Sequence, residues 1–189
     1  TNTKYLKQVK QHLKKHKIRK YKIVLEPAKR NTAPAILSSA LIKDIPYQQP
    51  LMFLAVDHLI ENASLFNKYI KKNLKKLTEQ NIFIFGIKPT MPSSEYGYFL
   101  KKKKKMNLNK VSKFIEKPNK VKAKQIIKKK GYWNSGMFFL RKDSIINNFK
   151  KYQSNIYRHC QRAVIKSKYK NNIYYLNKES FVKSKAISF

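Results

Sequence analysis

The chain has 189 residues, and its 44 Lys and Arg against 9 Asp and Glu give a formal net charge of +35. With 42% hydrophobic and 13% aromatic residues it is too apolar for a disordered basic tail, and its length suits one domain or a large part of one. No apolar run approaches the ~20 residues that span a bilayer, no signal-peptide pattern opens the chain, and a single cysteine, Cys160, excludes an internal disulfide. The expected location is cytoplasmic.

The basic residues are mostly lysine and are scattered over every segment. A nucleic-acid footprint would gather arginine on one element or stripe, so the charge reads as compositional drift, with non-specific adhesion to polyanions as its consequence. The one dense block, at 101–105, reads as a solvated turn between strands.

Apolar periodicity then predicts an alternation of helices and strands. Leu6, Val9 and Leu13 fall at helical spacing, and a buried strand at 23–25 stops at Glu26 and Pro27. Pro34 suits the first turn of a helix capped by Thr32, with Ile36, Leu37, Ala40 and Leu41 facing inward. A strand is expected at 51–55, a helix through Phe66, Tyr69, Ile70, Leu74 and Leu77, and a strand at 82–87. After a proline- and serine-rich loop come strands at 96–100 and 111–115, a lysine-rich helix at 121–130 and a strand at 133–140. Helices at 144–149 and 155–166 and a strand at 173–176 complete the chain. The expectation is one continuous α/β unit with a mostly parallel sheet flanked by helices, without internal repeats.

Acidic residues are so scarce that their positions carry information. Glu26, Asp57, Glu95 and Glu116 each lie at or just beyond a strand-like run or in a loop, where an α/β sheet builds its ligand crevice. A carboxylate at Asp57 suits a divalent cation, and equally a helix cap or a surface ion pair. The four glycines, Gly86, Gly97, Gly131 and Gly136, form no GxG phosphate cradle. In the segment 26–35, EPAKRNTAPA, the side chains of Arg30, Asn31 and Thr32 suit a phosphate, ribose or base edge, and equally a capping loop.

Six strings in order, EPAKRNTAPA, AVDHLI, FGIKPTMP, EYGYF, FIEKPN and YWNSGMFFLR, together resemble the mannose-1-phosphate guanylyltransferases. The resemblance implies a Rossmann-like nucleotidyltransferase domain, truncated at both ends and covering 1–189. It implies transfer of GMP from GTP to mannose 1-phosphate, releasing pyrophosphate, with Mg2+ assistance. Glu26, Arg30, Asn31 and Thr32 would line the nucleotide, and Asp57 would be a catalytic metal ligand. Tyr96, Gly97, Glu116 and Asn134 would contact the mannose, and Lys117 the sugar phosphate. Partners would be these two substrates, without specific nucleic acid or membrane.

The family's opening glycine-rich loop and a second metal-binding aspartate have no counterpart in the chain, which is therefore expected to be inactive by itself. A non-catalytic remnant of the same fold, or a basic nucleic-acid binder, is the alternative. Glu95 stands where the family has glycine before its YGY tract, where it would crowd the turn or swing outward.

Overall fold

The computed structural model describes residues 1–102 and 109–189. From Lys103 on, the turn expected at 101–105 therefore lies outside the described residues. In chain order the elements are α1 (Leu6–Lys15), β1 (Ile23–Leu25), α2 (Thr32–Ala40), β2 (Pro50–Phe53), α3 (Ala63–Asn73), β3 (Phe83–Ile87), β4 (Tyr98–Lys101) and β5 (Val111–Ile115). They continue with α4 (Lys120–Lys128), β6 (Tyr132–Arg141), α5 (Lys142–Tyr152), α6 (Ser154–Ile165), β7 (Lys168–Lys170), β8 (Ile173–Tyr175) and α7 (Lys178–Phe181). No helix among the described residues is long and apolar enough to cross a membrane.

The chain divides into two compact units. The first comprises Thr1–Leu51, Thr78–Asn81 and Leu140–Phe189, and the second Met52–Leu77 and Ile82–Phe139. In the first, β1 lies parallel to β8, with Ile23 opposite Ile173, and β7 runs antiparallel on the far side of β8. Leu6, Val9 and Leu13, the apolar stripe of α1, pack on Ile23, Leu25 and Ile173, which explains how so lysine-rich a segment holds a helix. The helical side of this unit buries Leu37, Ala40, Ile145, Ile156, Cys160, Ala163 and Phe181 almost completely. Each large aliphatic or aromatic group of this set contributes roughly 1.5–3 kcal/mol through its removal from water.

The second unit carries the larger sheet, of strand order β2-β6-β4-β5, with β3 also paired to β6. Trp133 of β6 sits opposite Tyr98 of β4 and Ile87 of β3, and Tyr98 is in turn opposite Ile115 of β5. Ala123 and Ile126 of α4 close a small core around the fully buried Tyr98, joined by Leu100, Ile115, Ile127 and Trp133.

The α/β class matches the sequence expectation, whereas the strand directions do not. β1–β8 is parallel, while β7–β8, β3–β6, β4–β6 and β4–β5 are antiparallel. Short apolar strands on helix-covered sheets read alike in either direction, so periodicity could not separate them. The cap of α2 is Asn31 rather than Thr32, its Oδ1 accepting the Thr32 N–H at 2.9 Å. Asparagine also caps α3, α4 and α7, through Asn62, Asn119 and Asn177. The short β7 and α7 have too few residues to show a period and were not expected from the sequence.

Candidate functional site

Within the second unit, Gly97, Glu116 and Asn134 come together at one end of the antiparallel strands. Gly97 immediately precedes β4, Glu116 immediately follows β5, and Asn134 lies in β6. The Asn134 N–H donates to the Gly97 carbonyl at 2.7 Å. A Cβ added at Gly97 would stand 2.8 Å from Glu116 Oε2, so the glycine is what lets that carboxylate lie against the backbone. Glu116 is exposed at its tip and free to accept from a polyhydroxylated ligand. The exposed Lys117 follows with φ at +39°, a conformation costly for a non-glycine residue.

Tyr96 completes the cluster, its ring 4.9 Å from that of Trp133 and tilted by 52°. The loop before it is tied down by a group that sequence reasoning passed over. The buried hydroxyl of Tyr98 donates to the Ser93 carbonyl at 3.0 Å and accepts from the Ser93 N–H at 2.9 Å. Glu95 N–H donates to Ser93 Oγ at 3.1 Å, and the Glu95 side chain points outward into solvent, so it does not crowd the turn. The available signal for Tyr98 was its type: a tyrosine inside a strand run needs a partner for its hydroxyl.

The four nucleotide candidates lie in the first unit, just after β1. Glu26 pairs by backbone with the segment before α1, donating to the Thr1 carbonyl at 2.9 Å and accepting from the N–H and Oγ1 of Thr3, each at 3.2 Å. Arg30 turns its guanidinium to main-chain carbonyls: Nε and Nη2 donate to Val182 at 3.1 and 2.6 Å, and Nη1 to Lys29 at 3.0 Å. Asn31 has φ +64° and ψ −169°, a region otherwise kept by glycine, and this strained residue opens α2. Thr32 Oγ1 accepts the Phe189 N–H at 2.9 Å.

Asp57 lies in an exposed turn four residues beyond β2, in the second unit. Among the described residues no group of three or more His, Cys, Asp and Glu side chains gathers where a metal could sit. Asp57 itself offers one exposed carboxylate.

A family model described as nucleotidyl transferase matches residues 1–180. A mannose-1-phosphate guanylyltransferase of Escherichia coli is 38% identical over 151 residues, covering 75% of this chain and 32% of its own length. One of Salmonella montevideo is 37% identical over 150 residues, covering 75% of this chain and 31% of itself. The chain thus spans about a third of the length of the curated relatives it matches. Among solved structures, one titled mannose-6-phosphate isomerase from Helicobacter pylori superposes with a TM-score of 0.86 at 29% identity, over all of this chain and 73% of that one.

Proposed function

The chain belongs to the nucleotidyl transferase family, and we propose that it forms part of a mannose-1-phosphate guanylyltransferase, which joins GMP from GTP to mannose 1-phosphate and releases pyrophosphate. The observation that carries the reading is the convergence of Gly97, Glu116 and Asn134 on three different strands' ends, within a chain whose curated relatives bear that name. The family's substrates are a nucleoside triphosphate and a sugar phosphate.

In this reading the second unit takes the sugar phosphate. Glu116 accepts hydrogen bonds from the sugar hydroxyls, with the Asn134 side chain and Tyr96 beside it, and Lys117 neutralises the phosphate with a charge-assisted bond. The first unit supplies the nucleotide loop. There Glu26, Asn31 and Thr32 face the guanine and ribose, while Arg30, held on Val182, stiffens the loop from behind. Attack of the sugar-phosphate oxygen on the α-phosphorus gains chiefly from alignment and from neutralised charge, both of which depend on groups placed before the reaction begins.

Members of this family generally use a divalent metal. Mg2+ is typically held by one or two carboxylates together with substrate phosphates and retained waters. The single, solvent-facing carboxylate of Asp57 fits one such position, and the ion it holds would offset the charge of the phosphates.

The test is pyrophosphate release by the full-length protein given GTP and mannose 1-phosphate, alongside direct binding of each. Turnover with both substrates, dependent on Glu116, is the expected result. Binding of neither would defeat the assignment.

A further inference from the structure

We infer that Tyr98 is a positioning residue for the sugar phosphate, acting through a clamp on the loop 93–97 that presents Tyr96 and Gly97; this rests on the sugar-phosphate reading above. The clamp is a single buried hydroxyl that satisfies both main-chain groups of Ser93, donating to its carbonyl at 3.0 Å and accepting from its N–H at 2.9 Å. Tyr98 is 0% exposed and packs on Ala123 and Ile126 of α4, so its ring is immobile and the hydroxyl is a fixed point. The far end of the loop is fastened separately, by Asn134 N–H on the Gly97 carbonyl and by the ring of Tyr96 on Trp133.

Five residues held at both ends form a preformed surface, and preforming it removes the ordering cost that a sugar phosphate would otherwise meet on binding. The side chain of Tyr98 itself lies beneath the loop, turned to Ser93, and acts through Tyr96 and Gly97. Removing its oxygen leaves the ring's packing in place and releases the start of the loop.

Equilibrium dialysis against labelled mannose 1-phosphate reads occupancy of this loop directly, without turnover. The experiment measures binding of mannose 1-phosphate to the full-length wild type and Tyr98→Phe by equilibrium dialysis, and separately measures GTP binding. Saturable binding is expected in both proteins, with half-saturation by mannose 1-phosphate about tenfold higher in Tyr98→Phe, since both hydrogen bonds to Ser93 are lost but only part of that loss reaches the ligand, and GTP affinity unchanged. Equal half-saturation in the two proteins would overturn the inference while leaving the sugar-phosphate reading intact. Parallel loss of affinity for both ligands would overturn it too, because it would mark a general loss of structure. No binding of mannose 1-phosphate by the wild type would defeat the sugar-phosphate reading itself.

Hydrogen exchange on the wild type decides the clamp even if the variant does not fold. The Ser93 amide is expected to exchange at least tenfold more slowly than an open loop amide, and more slowly again with mannose 1-phosphate present. Exchange at the open-loop rate would overturn the inference.

Discussion

The carboxylate of Glu116 occupies the space that a side chain at Gly97 would fill. A Cβ there would meet Glu116 Oε2 at 2.8 Å and the Phe114 ring at 3.1 Å. Both neighbours lie on or next to the edge strand β5, so an added methyl pushes on the free end of a flexible side chain rather than on the core. Gly97→Ala should therefore leave stability within ~1 kcal/mol of wild type while displacing Glu116 and raising the KM for mannose 1-phosphate about tenfold or more. Steady-state kinetics beside a thermal melt checks both halves.

Asn31 spends backbone strain to open α2. At φ +64° and ψ −169° the conformation costs on the order of 1–3 kcal/mol for a residue with a side chain, partly returned by its cap on the Thr32 N–H. Asn31→Gly should be at least as stable as wild type, because glycine adopts this backbone freely and loses little as a cap. Asn31→Ala keeps the strain and loses the cap, and should fall by ~1–2 kcal/mol. Urea unfolding midpoints of the two variants separate these outcomes.

Lys142 is a buried cation with no carboxylate among its described partners. Its Nζ donates to the carbonyls of Ile42 and Ile45 at 2.9 and 2.7 Å, which secures the turn after α2, and burial lowers its pKa. Lys142→Met fills the same space and leaves both carbonyls without this donor. A loss of about 1–3 kcal/mol in denaturant unfolding is expected, with earlier proteolysis in the segment 41–49.

Cys160 is wholly buried on α6, with its Sγ 3.9 Å from the Pro34 carbonyl, and burial pushes the thiol up to about 11 from an ordinary 9.0. The native state thus holds this proton more tightly than the unfolded chain. Its contribution to stability is fully present below pH 9 and is lost as pH rises through about 11, amounting to roughly 1–3 kcal/mol. Wild type should lose more stability than Cys160→Ala across that interval. At pH 8 the native thiol should react with a disulfide reagent only as fast as the first unit opens.

The alternation of helices and strands was legible in the sequence because it rests on near neighbours. Leu6, Val9 and Leu13 repeat at helical spacing, and 111–115 was expected as a strand and is β5 to the residue. Scarcity also marked Glu116 and Gly97 at strand ends, which is where they lie, whereas Tyr96, Lys117 and Asn134 were singled out only by the resemblance. Neither the cap at Asn31, one residue from the expected Thr32, nor the hydroxyl of Tyr98 could be read that way. Each depends on which backbone group a side chain meets, and several sequences of similar pattern offer that choice.

By itself, then, the sequence determined the α/β class, the apolar faces and the identity of the polar groups available for chemistry. Only the tertiary structure decided that most strand pairs run antiparallel, that Arg30 is spent on Val182, and that Gly97, Glu116 and Asn134 meet. The physical reason is one of range: periodicity is set within a turn of helix or a pair of strand residues, whereas strand direction and hydrogen-bond partners are set by packing between segments far apart in the chain.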